Sequence, residues 1–241
     1  MCGGPACAAL RARRLDPVRS RCCRRGLAQK AAPLSALRLT EPAHRAKFTL
    51  LFSHANAEDL GLVFDHLKTL SEVLQVNVMG YEYTGYGRAT GTPSEVDCYA
   101  DIAAAFSWLM QEKNLLPSEV ILCGRSIGSG PTVELASRAE VGGVILQSAF
   151  TSCIRVAYDV KYTAFDAFCN VKKIHKVKCP VLIVHGTRDD VVPCLHGKEL
   201  YKLCRRPHRP FWVCRCVGLW GCSQGRCGLE CHFARCAVLF V

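Results

Sequence analysis

Three observations predict an α/β fold with a mostly parallel sheet and helices on both faces. Apolar runs of about five to seven residues recur along the chain, separated by longer stretches of helical character. These runs are near-continuous rather than alternately apolar and polar, which is the pattern of strands covered on both faces. The chain has 241 residues, of which 50% are hydrophobic: enough for one domain with a sizeable core and too little for two.

The elements follow in order. Residues 1–46 are rich in Arg, Ala, Pro and Cys and keep neither a strand nor a helix period, so they read as a largely unstructured basic leader. Lys47-Phe-Thr-Leu-Leu-Phe-Ser53 is a strand, followed by a helix over 59–74. Val76-Asn-Val-Met-Gly-Tyr81 is the second strand, leading through a Gly-rich loop to a helix over 94–113. Glu119-Val-Ile-Leu-Cys123 is a third strand and Pro131–Ala139 its helix. Gly143-Val-Ile-Leu-Gln147 and Pro180-Val-Leu-Ile-Val-His185 are further strands, then a helix over 194–204 and a short strand at Phe211-Trp-Val213. The first antiparallel hairpin of such a sheet is missing or degenerate, and 151–178 is too short for a large cap. After Val213 the periodicity is lost, leaving 214–241 as an atypical Cys-rich tail. The chain thus divides into a leader at 1–46, a core at 47–213 and the tail.

Charge follows the same division. The formal charge is +11, but residues 1–40 contribute +8, 205–241 contribute +5, and 41–204 are at −2. A nucleic-acid enzyme carries its basic patch on the folded domain, so nucleic acid is not an expected partner. Of the 17 cysteines, four precede residue 24, six follow residue 213, and the seven between sit singly in apolar patterns as small buried hydrophobes. Neither a secretory signal nor a small disulfide framework is present, which favours a reducing, intracellular compartment. No apolar run is long enough to span a bilayer.

The chemistry centres on Gly124-Arg125-Ser126-Ile127-Gly128, placed between a strand and a helix. That context is the one a nucleophile elbow requires: a strained serine on a tight turn, glycines two residues either side, and a helix N-terminus behind it. A serine nucleophile needs a base and a carboxylate to orient that base. Gly186-Thr-Arg-Asp189-Asp190 follows a strand edge, where the acid belongs. Both aspartates qualify by position, and Asp189 is favoured, with Asp190 as loop. The oxyanion would be held by the N–H of Ile127 and one from Ser53-His54-Ala55-Asn56-Ala57, for which Asn56 is chosen. His54 is read as structural, packed beneath its loop. Tyr83-Thr-Gly-Tyr-Gly87 is read as a structural turn, since it lacks phosphate-cradle spacing.

His54-Ala-Asn-Ala57 with Asp59-Leu-Gly61, Tyr83–Gly87, Gly124–Gly128, Arg155-Val-Ala157 with Phe165-Asp-Ala-Phe168, and His185-Gly-Thr-Arg-Asp189 together resemble the alpha/beta-hydrolase domain-containing protein 17 family. The similarity covers about 46–213. It implies an alpha/beta-hydrolase fold and a serine hydrolase that removes palmitoyl groups from proteins, with Ser126 as nucleophile and Asp189 as acid. It implies no cofactor. S-acylated proteins or other acyl esters are then the expected partners. One departure is Ala55, where the family has Gly.

The larger departure concerns the base. The family carries its histidine in a Gly-Ala-Gly-His stretch soon after the last strand, where this chain has Cys214-Arg-Cys-Val-Gly218. His208 precedes that strand and is expected to be exposed beside Arg205, Arg206 and Arg209. The only histidine beyond it is His232, which serves only if the tail folds back over the sheet edge. A shifted reading frame or retained intron would also give a tail of this composition. The tail cysteines with His232 do not form two clean zinc knuckles, so no metal site is expected.

Cys22-Cys23, set among Arg19, Arg21, Arg24 and Arg25, has three readings. Acylation with a polybasic patch would attach the chain peripherally to the cytosolic face of a membrane, which the resemblance favours. An Arg-rich, acid-poor segment also suits organellar targeting, and a plain basic leader is the third reading. For activity two readings stand: hydrolysis of acyl thioesters, or a catalytically silent hydrolase-fold protein that binds acylated partners or membranes. A third, weaker one is an ordinary hydrolase of small soluble esters.

Overall fold

The computed structural model describes residues 13–14, 36–39, 46–157 and 166–213. Its strands are β1 (Arg13–Arg14), β2 (Ala36–Leu39), β3 (Thr49–Ser53), β4 (Asn77–Tyr81), β5 (Val120–Arg125), β6 (Gly143–Gln147), β7 (Val181–Gly186) and β8 (Phe211–Val213). The helices are α1 (Phe64–Leu74), α2 (Glu95–Gln111), α3 (Ser129–Arg138), the short α4 (Cys153–Ala157) and α5 (Cys194–Leu203). One sheet runs in the order β1-β2-β4-β3-β5-β6-β7-β8. The six strands from β4 to β8 are parallel, and β2 joins β4 antiparallel, as β1 joins β2.

The central strands are buried along their whole length, because helices cover both faces. One apolar cluster joins Leu51, Met79, Leu122 and Leu146 to α2 and α3, with Ile102, Leu109 and Val133 fully enclosed. The other joins Leu50, Val78, Ile121 and Ile145 to Leu67 and Leu70 of α1. Alternate residues of each strand feed opposite clusters, as the period of a pleated strand requires.

Two expectations need correction. The leader contributes β1 and β2, so the first hairpin is degenerate rather than missing. Leu37 lies opposite Gly80 and Leu39 opposite Val78, which supplies the edge of β4 with a partner. The helix expected over 59–74 begins at Phe64. Asp59 accepts the Leu62 N–H on its side chain (2.9 Å) and the Val63 N–H on its carbonyl (3.1 Å), holding 59–63 in turns. By contrast, α2 starts with Ser94, whose hydroxyl accepts the Asp97 N–H as a conventional cap.

Because β3 to β7 are parallel, their C-terminal ends share one edge of the sheet. The loop 54–58 after β3, the 82–87 loop after β4, the turn after β5, residues 148–152 after β6 and the 187–193 loop after β7 therefore gather there. The segment between β6 and β7 holds α4 and two single 3-10 turns at Asn170–Lys172 and Ile174–Lys176, with no large cap among the described residues.

Candidate active site

Ser126 sits where β5 ends and a 3-10 turn, Ser126–Gly128, leads into α3. Its φ is +52°, a region that a residue with a Cβ occupies only under constraint. The constraint is close approach on both sides. A methyl on Gly124 would lie 2.5 Å from the Gly128 carbonyl oxygen and 2.5 Å from Thr132 Oγ1. A methyl on Gly128 would lie 2.2 Å from the Ser53 carbonyl oxygen. The two glycines thus let β5, α3 and the end of β3 converge, and Ser126 is left half-buried at the sheet edge. The Ser129 hydroxyl donates to the Ser126 carbonyl at 2.6 Å and fixes the first turn.

Asp189 lies across β6 from the elbow and is 9% exposed, whereas Asp190 is exposed. Its Oδ1 accepts the N–H groups of Val191 (3.1 Å) and Val192 (2.9 Å). Its Oδ2 accepts the hydroxyl of Ser148 at 2.7 Å. Ser148, directly after β6, holds a φ of +43° and is buried. Three donors therefore aim one carboxylate, and Asp190 has no such cradle among the described residues.

On the other side of Ser126, His54 is wholly buried. Its Nδ1 donates to the Ala55 carbonyl (2.9 Å) and its Nε2 faces Glu82 Oε1 (2.9 Å), while Tyr83 donates to the His54 carbonyl (2.8 Å). Both ring nitrogens are engaged, in keeping with a structural role. Asn56 is exposed, and its side-chain oxygen accepts the Tyr86 hydroxyl at 2.6 Å. The 83–87 stretch is a turn, closed by Tyr86 N–H to the Tyr83 carbonyl (2.9 Å), with Gly85 and Gly87 at positive φ. Ala55 is buried without positive φ, so its methyl adds no backbone strain.

No histidine among the described residues hydrogen-bonds Ser126. His185 is buried, and its Nε2 donates to the Val192 carbonyl at 2.8 Å, with Asp189 Oδ2 3.8 Å away. His196, on α5, meets the Thr151 hydroxyl at 2.9 Å. His208 is half-buried rather than exposed, and its N–H donates to the carbonyl of Val181, at the N-terminal end of β7 and so at the opposite edge of the sheet. His232, Cys22 and Cys23 lie outside the described residues. Among those residues no cluster of three or more His, Cys, Asp or Glu could hold a metal ion.

Sequence reasoning missed Ser148, Glu58 and Arg125. Ser148 was detectable in principle, since it directly follows a strand that ends at the same edge as the elbow. Arg125, the second residue of the elbow motif, is 13% exposed and paired to Glu58 at 2.8 Å.

The comparisons bear on the family and the fold. No family model matches the chain. Alpha/beta hydrolase domain-containing protein 17B of Homo sapiens is 48% identical over 170 residues, which are 70% of this chain and 59% of that protein. The chain belongs to the alpha/beta hydrolase domain-containing protein 17 family. A relative from Caenorhabditis elegans, alpha/beta hydrolase domain-containing protein aho-3, is 43% identical over 180 residues, 74% of this chain and 54% of that protein. The chain therefore spans somewhat over half the length of these family members. An alpha-beta serine hydrolase homologue from Coxiella burnetii shares the fold with a TM-score of 0.66 at 16% identity, over 87% of this chain and 92% of that one.

Two predictions follow from the site. Gly128→Ala forces a methyl onto the Ser53 carbonyl, and backbone has little freedom to yield. Overpacking of this kind costs about 1–3 kcal/mol, so the melting temperature should fall by several degrees, measured by circular dichroism. Burial lowers the His196 pKa, with the nearby His185 adding to the effect. The unfolded chain then takes up a proton near pH 6.5 that the folded one resists, and stability falls as the pH drops below that value. His185 is lowered by burial in the same direction. Melting temperatures between pH 7.5 and 5.5 should show the decline, and His196→Gln should make it shallower.

Proposed function

We propose that the chain is a serine hydrolase of acyl thioesters that removes palmitoyl groups from S-acylated proteins. The observation that carries the proposal is the strained Ser126, held at positive φ by the two glycine contacts at the mouth of a helix, with the cradled Asp189 carboxylate on the same sheet edge. The substrate class rests on the family resemblance, and the absence of a large cap among the described residues suits an acyl chain attached to another protein.

In this reading the Ser126 oxygen attacks the thioester carbonyl as its proton passes to a base. The N–H groups of Ile127 and Asn56 hold the oxyanion. The thiol leaves with the proton from that base, giving an acyl-serine. Water then adds with the same base, releasing the fatty acid and free serine. The base must come from the segment beyond Val213, where His232 is the sole histidine. Val213 ends beside the acid loop, because its carbonyl accepts both the N–H (2.9 Å) and the hydroxyl (3.2 Å) of Thr187.

A second reading is favoured by one specific observation, that no described histidine hydrogen-bonds Ser126. In it the chain is a catalytically silent member that binds acylated partners or membranes. A fluorophosphonate probe separates the two. The hydrolase reading expects labelling that Ser126→Ala abolishes and His232→Ala reduces by about 10³-fold or more, in line with the loss of a triad member. An unlabelled wild type, beside a labelled control hydrolase, rejects it.

Peripheral attachment through acylated Cys22 and Cys23 belongs to the same proposal. No helix among the described residues is long and apolar enough to cross a membrane. Replacing both cysteines by serine should move the protein from the membrane pellet to the supernatant on fractionation. Unchanged partition would exclude these two residues as the anchor.

A further inference from the structure

Arg125 and Glu58 form a paired, largely enclosed group that the proposed steps leave unused. Arg125 immediately precedes the nucleophile, and Glu58 closes the loop that follows β3. The Arg125 Nη1 donates to Glu58 Oε1 at 2.8 Å, and each side chain is 13% exposed. Three further contacts fix the guanidinium: Nε donates to Gln147 Oε1 (3.1 Å), Nη2 to His66 Nε2 (2.5 Å), and its plane lies 5.5 Å from the Phe52 ring centre. The other Glu58 oxygen, Oε2, accepts the N–H of Ala55 at 2.8 Å, and the Glu58 N–H returns to the Ala55 carbonyl at 3.2 Å.

The consequence lies in which amides of the loop remain free. The Ala55 N–H is held by a carboxylate, so it cannot also serve an oxyanion. The His54 carbonyl is held by Tyr83, and the Asn56 side chain by Tyr86. Among the described residues nothing accepts the Asn56 N–H. We propose that Glu58 is a positioning residue: braced by Arg125, it takes the Ala55 N–H out of competition and sets the Asn56 N–H as the second oxyanion donor. The brace is anchored on the residue next to Ser126, which ties the donor loop to the elbow. This inference rests on the hydrolase reading above.

Glu58→Ala and Glu58→Gln test it in the full-length chain, with thermal melts to establish that each variant folds. Amide-resolved hydrogen exchange should find Ala55 at least about tenfold slower than Asn56 in the wild type, as its bond to a charged acceptor implies. Glu58→Ala should bring Ala55 up to the Asn56 rate. Glu58→Gln, whose carbonyl oxygen still accepts an N–H, should restore most of the protection. In parallel, the rate constant for fluorophosphonate modification of Ser126 should fall about 30-fold in Glu58→Ala with the probe's binding constant unchanged, less than the 10²–10³ lost with an entire donor. The proposal is overturned by equal Ala55 and Asn56 exchange in the wild type, or by full reactivity in a variant that has lost the protection. A wild type that does not label defeats the hydrolase reading, and the exchange pattern then decides the clamp by itself.

Discussion

The elbow depends on a packing contact before it depends on any chemistry. A methyl on Gly128 would meet the Ser53 carbonyl, and one on Gly124 would meet the Gly128 carbonyl and Thr132. Removing both side chains lets α3 start almost on top of the ends of β3 and β5. The turn between them is then too short for a relaxed serine, and Ser126 takes the left-handed backbone conformation that thrusts its side chain outward. The strain is sustained because the surrounding sheet is buried on both faces and cannot relax around one turn.

Packing this tight at a sheet edge encloses polar groups that water would otherwise satisfy, and the chain pairs many of them internally. Tyr81, Ser53 and Thr132 link hydroxyls across β4, β3 and α3 at 2.8 and 3.3 Å. His54 sits between the Ala55 carbonyl and Glu82, and Arg125 joins Glu58, Gln147 and His66. Ser148 completes the edge by linking the end of β6 to Asp189. These groups come from the ends of β3 to β7 and from α1 and α3, so the edge is tied together laterally by side chains as well as by the ladder beneath it. Breaking one partner of such a buried pair costs more than the pair itself contributes.

The sequence showed the parts of this arrangement that depend on local pattern. Gly143–Gln147 and Phe211–Val213 match the observed strands residue for residue, and α2 and α5 end within two residues of expectation, because apolar runs and caps act over short distances. The elbow and Asp189 were legible because their residue types follow strand ends directly. Other features were not. The start of α1 was displaced by the Asp59 side chain, which competes with the helix for the Leu62 N–H. The β2 pairing places Ala36–Leu39 against β4 across some forty residues of sequence, beyond the reach of any local period. Glu58 and Arg125 are 67 positions apart and look like surface charges until the fold encloses them.

These observations separate what the core supplies from what the tail must supply. In the proposed hydrolase the nucleophile, oxyanion donors and acid all belong to residues between β3 and α5, and their placement depends on contacts internal to that stretch. The acid is already aimed: its Oδ1 is occupied by two amides and its Oδ2 by Ser148, so the carboxylate does not depend on a histidine for its orientation. Strand β8 runs parallel beside β7 and hands the chain over at Val213, against the loop that carries Asp189. In the proposed hydrolase an imidazole supplied from beyond that point would meet a prearranged carboxylate and serine. In the proposed hydrolase the base is the one triad component that the described core does not place, and it is therefore the component on which the two proposed readings divide.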